Sequence, residues 1–231
     1  MSTVLITGAN RGLGLEFCRQ YAEQGWDVLA CCRNPEQAGE LTQLVSHNSA
    51  VRVFKMDVSD RKMIDILADD LVEATIDLII ANAGVYGDRR GHEFGNLDYA
   101  DWISTLETNV MGVVKVMEAF MPALKRSQKP RVAVLSSQMG SIEDNSSGGS
   151  ILYRSSKAAL NATMKSLSID LKSDGIAVLI FHPGWVKTDM GGTQALIDAK
   201  TSVTGMIKQI SHIEMSQTGQ FVKYDGTQLP W

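Results

Sequence analysis

The 231-residue sequence predicts one α/β domain, residues 1–231, built on a doubly wound parallel sheet. Three observations carry that prediction. Short apolar runs of strand length alternate with segments whose apolar residues recur at i, i+3 and i+4. The runs are continuous in Val, Ile and Leu, the pattern of strands buried on both faces. Strand–helix alternation along a whole chain implies right-handed crossovers and hence parallel neighbours.

Taken in order, the first strand is predicted at Val4–Thr7 and is followed by a helix at Leu13–Gln24. The second is Val28–Cys32, before a helical segment at Glu36–Val45, and the third is Val51–Lys55, before Arg61–Glu73. A fourth strand at Leu78–Ala81 leads to the long apolar-periodic stretch Ala100–Phe120. A fifth at Val132–Ser136 precedes the helix Ser155–Lys172, a sixth spans Ala177–Phe181, and a short last one falls at Phe221–Lys223. In such sheets ligands sit beyond the carboxyl ends of the strands, so the informative residues are those just past each run.

Past the first strand stands Thr7-Gly8-Ala9-Asn10-Arg11-Gly12-Leu13-Gly14. A strand that turns tightly on glycine into a helix aims backbone N–H groups and the positive helix end at one spot, which suits a pyrophosphate. Gly8 permits the turn, Gly12 lets a ligand approach the backbone, and Gly14 lets helix and strand pack closely. The spacing is Gly-x3-Gly-x-Gly rather than the commoner Gly-x-Gly-x2-Gly. Asn10, Arg11 and Leu13 belong to the same expected cradle. A glycine turn of purely structural meaning is the competing reading.

Past the second strand comes Arg33, with no acid at the strand tip. A carboxylate there would favour NAD, whereas an arginine accommodates a 2′-phosphate. Arg33 and Arg11 could converge on it, so NADPH/NADP is expected in preference to NAD; a solvated loop arginine beside Pro35 is the alternative. Asp57 and Val58 follow the third strand, where Asp57 either accepts from an adenine amino group or makes a local turn. Asn82-Ala83-Gly84 ends the fourth, as a cofactor contact or as punctuation.

Two later stretches carry chemistry. Ser136-Ser137-Gln138-Met139-Gly140-Ser141 follows the fifth strand, and Tyr153 and Lys157 open the next helix. Four residues apart on a helix, their side chains share a face roughly 6 Å apart. A phenol, which ordinarily titrates near ~10, is a poor catalyst at neutral pH. A neighbouring ammonium is expected to lower that value.

Thr7-Gly8-x3-Gly12-x-Gly14, Asp57, Asn82-Ala83-Gly84, Asn109, Ser136-Ser137-x2-Gly140, Tyr153-x3-Lys157 and Pro183-Gly184-x3-Thr188, in that order over the whole chain, resemble the short-chain dehydrogenase/reductase family. Gly184 to Gly192 and the ending Tyr224 to Trp231 look most like its carbonyl-reductase members of the sniffer and C-factor group. The resemblance implies a Rossmann-fold oxidoreductase that reduces an aldehyde or ketone with NADPH, or oxidises an alcohol in the reverse direction. It also leaves room for a cofactor-binding signalling protein. It implies a tetrad of Asn109, Ser137, Tyr153 and Lys157: Tyr153 as general acid or base, Lys157 depressing its pKa and holding the nicotinamide ribose, Ser137 binding the substrate oxygen, Asn109 supporting a proton relay. Pro183, Gly184, Val186 and Thr188 would contact the nicotinamide end. One departure stands out. The family serine usually lies thirteen residues before the tyrosine, where this chain has Gly140. Ser137 fits if Glu143–Gly149 holds three extra residues, and Ser141 is its rival.

Composition narrows the partners. The formal net charge is −4 with no Lys/Arg cluster, which argues against nucleic acid or an anionic membrane surface. No apolar run approaches ~18 residues, and no basic leader precedes the first strand, so a cytoplasmic protein is expected. The three cysteines, Cys18, Cys31 and Cys32, have no metal-ligand spacing and read as small buried residues. His47, His92 and His212 are scattered, and His182 reads as a strand-end residue; no metal is expected. Met139, Trp185, Met190 and Tyr86 are candidates for an apolar substrate pocket. The segment at about 190–216, opening with Gly191-Gly192, is expected to cover the substrate as a mobile lid. Surplus apolar residues at Val110, Val113, Val114, Val116, Met117 and Phe120 suggest a homodimer or homotetramer.

Overall fold

The computed structural model describes all residues, Met1–Trp231. Seven strands form one parallel sheet: β1 (Thr3–Thr7), β2 (Asp27–Cys32), β3 (Val51–Lys55), β4 (Leu78–Ala81), β5 (Arg131–Leu135), β6 (Ala177–His182) and β7 (Gln220–Lys223), in the order β3-β2-β1-β4-β5-β6-β7. Registers such as Leu5↔Leu29 and Leu5↔Ile79 put β1 inside the sheet, between β2 and β4. Successive residues of a strand face opposite sides. Val4 and Ile6 therefore enter one core layer, with Phe17, Leu41 and Met206, while Leu5 enters the other, with Ile64, Phe120 and Met164. The expectation of strands buried on both faces is met in the interior strands but not in the edge strand β3, where only Val51 is buried.

The first layer is covered by α1 (Gly12–Glu23), α2 (Gly39–His47) and α7 (Ala199–His212); the second by α3 (Arg61–Asp70), α4 (Tyr99–Leu106), α5 (Gly112–Lys125) and α6 (Ile151–Asp170). The side chains of Asp60, Asp98 and Asp198 cap α3, α4 and α7, accepting from the otherwise orphaned first-turn N–H groups.

Four differences from the sequence reading have physical causes. The stretch expected as one helix at Ala100–Phe120 is α4 and α5 joined by a π-helical turn at Glu107–Met111, which turns Asn109 fully inward. The segment expected at Glu36–Val45 begins with a separate 3-10 turn, Pro35–Gln37, whose proline sits in its first turn. α6 starts at Ile151, a turn earlier than expected, because its first N–H groups find an acceptor elsewhere in the chain. Val203, Met206, Ile207 and Ile210 of α7 are buried in the core beside α1, with Gln20 joined to Lys200 and Thr204. In this structure that helix is packed as a layer of the domain, and the preceding Met190–Asp198 is the more exposed part of the expected covering segment.

Cys18, Cys31 and Cys32 are buried free thiols, pushed up from the usual thiol range by burial. No helix is long and apolar enough to cross a membrane.

Candidate active site

All seven parallel strands end on one edge, and an open cleft of ≈ 670 Å³ runs along it, inside the range of ~300–1,000 Å³ for small-molecule sites. Its floor begins at the glycine turn. Gly8 has a left-handed φ of 67°, and a Cβ on Gly14 would stand 2.1 Å from the Gly8 carbonyl oxygen. Only glycine lets α1 sit this close to β1. Asn82 locks the turn from β4: its Nδ2 donates to the carbonyls of Thr7 (2.9 Å) and Gly8 (3.1 Å), while the Thr7 hydroxyl accepts from the N–H groups of Asn82 and Ala83. No side chain caps α1 and no acid stands in its first turn, so its N–H groups and positive end face the cleft uncompensated. A pyrophosphate fits that end.

Gly8, Asn10, Arg11, Gly12, Leu13, Arg33, Asp57, Val58, Asn82, Ala83, Gly84, Tyr153, Lys157, Pro183 and Thr188 all line the cleft. Arg33 is exposed and carries no ion pair, whereas Arg11 donates to Asp189 at 2.6 Å. The two guanidiniums therefore do not converge: Arg11 is drawn across the cleft to the loop after β6. Asp57 satisfies the turn reading with one oxygen, which accepts from the Ser59 N–H (2.9 Å) and hydroxyl (2.7 Å), while still facing the cleft. Gly14 lies beneath the cradle. Gly184 and Val186 do not line the cleft; they pack on Ile197 and carry the short bridge that folds Trp185–Ile197 back on itself. Asn34, Gln37, Glu40 and Thr108 line it without having been singled out; their residue types carry no motif, and only the fold brings them to this edge.

At the other end stand the expected catalytic groups. Tyr153 is buried, its ring tilted on that of Tyr86 with centroids 4.9 Å apart, and the Lys157 ammonium lies 5.7 Å from its ring centre. Lys157 Nζ donates to the Leu135 carbonyl at 2.9 Å. Gly84 lies beside both groups: a Cβ there would be in ordinary contact with Lys157 Nζ at 3.5 Å and tight against Asn109 Oδ1 at 3.2 Å. Burial pushes the Tyr153 phenol up to about 12 despite the neighbouring Ser137 hydroxyl, and burial pulls Lys157 down to about 8. This runs against the expected lowering of the tyrosine. Desolvation is the largest influence on the phenol, which is fully protonated at neutral pH.

Asn109 does not reach the cleft. Its Nδ2 donates to the Val85 carbonyl (2.8 Å) and the Ser156 hydroxyl (2.9 Å), and its Oδ1 accepts from the Val85 N–H (2.8 Å), so its side chain braces the β4 loop against α6. Ser137 begins the 3-10 turn Gln138–Gly140 at the end of β5, accepts from the Met139 N–H and stands beside Tyr153. Its rival Ser141 is committed elsewhere, donating to the Trp231 carbonyl and accepting from the Asp144 N–H. Gly140 has no room for a side chain: a Cβ would meet the Lys157 carbonyl carbon at 2.8 Å. His182 is half-buried, its Nδ1 is buried and unpartnered, and it is held down to about 4 by burial and then Lys223, hence neutral. Tyr86, Trp185 and Met190 remain between 39% and 53% exposed, and Met139 is half-buried. No cluster of His, Cys, Asp and Glu could hold a metal.

The family model for short chain dehydrogenase matches residues 2–196. The chain is 41% identical over 164 residues to C-signal of Myxococcus xanthus, covering 71% of this chain and 98% of that one. Among solved structures it resembles the carbonyl reductase Sniffer of D. melanogaster (TM-score 0.93, 35% identity, all of both chains). It also resembles the NADPH-bound carbonyl reductase from chicken fatty liver (TM-score 0.93, 32% identity, 100% and 99% covered).

Proposed function

This chain belongs to the short-chain dehydrogenase/reductase family and is an oxidoreductase related to the carbonyl reductases, and from that premise we propose that it reduces an aldehyde or ketone to an alcohol with NADPH. The observation that carries the reading is Tyr153: a buried, protonated phenol, beside Ser137 and flanked by Lys157, on the wall of a dinucleotide-sized cleft. A phenol that keeps its proton at neutral pH can donate it to a carbonyl oxygen.

When bound, the nicotinamide supplies the hydride. The uncapped start of α1 with Gly8, Asn10, Gly12 and Leu13 would hold the pyrophosphate, Arg33 the 2′-phosphate, and Lys157 the ribose beside Gly84. Ser137 orients the carbonyl oxygen, Tyr153 gives it a proton, and the Lys157 ammonium stabilises the phenolate left behind. Asn109 keeps Val85 and α6 in register through its three hydrogen bonds. Met190–Asp198 forms the outer wall, with the large apolar side chains of Trp185 and Met190 open to an apolar substrate. Incubating the protein with NADPH and a panel of aldehydes and ketones, and following loss of nicotinamide absorbance, tests the reading; no turnover on any apolar carbonyl would reject it.

Arg33 supports NADPH over NADH because it is an unpaired guanidinium on the cleft wall at the end of β2. Arg33→Ala is expected to weaken NADPH binding by roughly 1.5–3 kcal/mol, the worth of hydrogen bonds to a charged group, and to leave NADH unchanged. Titration calorimetry with both cofactors checks this, and equal losses would reject it.

The assembly we propose is a homodimer or homotetramer. Val113, Val116, Met117 and Phe120 are spent on the core, but Tyr99, Ile103 and Met111 stand 67%, 59% and 47% exposed along α4 and the π turn. Sedimentation at micromolar concentration should show a species larger than 25.2 kDa. A second reading, a cofactor-binding signalling protein, is favoured only by the similarity to C-signal. Binding alone would not call for a buried phenol beside a hydroxyl and an ammonium.

A further inference from the structure

We propose that Asp88 is the residue that positions Tyr153, by capping the helix that carries it from a loop 64 residues away. The inference rests on the reading of Tyr153 as proton donor.

An α-helix leaves its first N–H groups without partners, and a side chain at the N-cap normally meets one. α6 lacks that device. Its N-cap, Ser150, has a left-handed φ of 46°, the only non-glycine residue of the chain with a positive φ, and its side chain caps nothing. The Ser150 hydroxyl instead meets the Tyr86 hydroxyl at 2.6 Å. The helix start is satisfied from outside: Asp88 Oδ1 accepts from the Leu152 N–H at 3.1 Å and Oδ2 from the Tyr153 N–H at 2.8 Å. One carboxylate thus spans two neighbouring amides, and one of them belongs to the proton donor itself. A carboxylate is also the favoured charge at the positive end of a helix.

The loop that carries Asp88 is held firmly. Val85 is bonded in both directions to Asn109, and the Tyr86 ring lies on the Tyr153 ring. Gly87 packs so tightly on Thr105 that no side chain could be built there, and Arg89 pairs with Asp101 at 3.0 Å. Asp88 therefore ties the phenol to a braced wall rather than to a free loop. Preorganised placement of a reacting group within fractions of an ångström is where catalytic rate is won or lost. The cradle that would take the cofactor phosphates lies at the far end of the cleft and shares no hydrogen bond with Asp88.

The test compares Asp88→Ala, which removes both acceptors, with the isosteric Asp88→Asn, whose one carbonyl can still serve one amide. The carbonyl substrate is the best found in the panel. In the alanine variant kcat should fall at least tenfold, and in the asparagine variant about threefold, while the Kd for NADPH stays within twofold in both. Amide hydrogen exchange, read without any substrate or cofactor, should speed up at least tenfold at Leu152 and Tyr153 in Asp88→Ala and remain unchanged at Leu160–Ser168. Unchanged exchange at Leu152 and Tyr153, an alanine variant with kcat within twofold of wild type, or NADPH affinity that falls in step with kcat would overturn the proposal. Because the exchange arm needs no turnover, a protein inactive on every carbonyl would reject the reductase reading and still show whether Asp88 caps α6.

Discussion

Tyr153→Phe should abolish carbonyl reduction, with a loss of roughly 10²–10⁴ in kcat, the usual worth of a positioned proton donor. Phenylalanine keeps the ring against Tyr86 and the packing of α6, and loses only the hydroxyl beside Ser137. The Kd for NADPH should stay within twofold. A variant with near-normal turnover would remove Tyr153 from the chemistry and the enzyme reading with it. The pH profile carries the same logic. Reduction needs the phenol protonated, and with the phenol pushed up to about 12 its own titration lies beyond the working range. Lys157, pulled down to about 8, titrates inside it. Reduction, measured as kcat/KM, should therefore hold below pH 8 and decline above it as the ammonium that supports the phenolate is lost. Stability runs the other way. The unfolded chain holds the lysine proton up to about 10.5, so between about 8 and 10.5 it binds more protons than the fold, and stability contributed by this group rises with pH. Stability that rises over the window in which activity falls would separate a titrating Lys157 from simple alkaline unfolding.

The second large effect is expected from Gly14→Ala. Alanine is the better helix former by about 1 kcal/mol, so propensity alone predicts a more stable protein. The geometry predicts the reverse. The new Cβ would lie 2.1 Å from the Gly8 carbonyl oxygen and 2.6 Å from Asn82 Nδ2, groups already bound to each other and unable to yield. Overpacking of this kind costs about 1–3 kcal/mol, and here it also drives α1 away from the turn that cradles the phosphates. Thermal melting should show a net loss of stability, and NADPH binding should weaken at least tenfold. A variant that melts higher and binds equally well would mean that α1 and β1 are not held at contact distance.

The strands were legible because a run such as Val28–Cys32 has no polar face to confuse it, and the observed ends fall within a residue of those expected. The cleft residues were legible because a parallel sheet brings every strand end to one edge, so a motif that follows a strand is already placed. What escaped the sequence depends on contacts made at a distance. The π turn at Glu107–Met111 is invisible to apolar spacing, which runs on unbroken through Val110, Val113 and Val114. The start of α6 could not be read from its own residues because its acceptor is Asp88. The spacing of α7 is the same whether a helix closes over a substrate or lies permanently on a sheet; only burial of Met206 and Ile210 tells the two apart. A lysine four residues from a tyrosine is visible in a sequence, but the burial that raises the phenol is not. Gly140 looked like a missing serine, and its contact with the main chain of Lys157 explains why a side chain is excluded there.

The place of β1 between β2 and β4 has a consequence for the chain as it is made. β1 pairs on one side with β2, which emerges soon afterwards, and on the other with β4, which follows only after roughly seventy residues. At about 5–20 residues per second of synthesis, that second edge waits roughly 4–14 s for its partner. During this interval Val4-Leu5-Ile6 is an apolar strand with an open row of backbone donors and acceptors. The nascent protein is then most exposed to mispairing with another chain, and slower translation through residues 40–77 would lengthen that exposure.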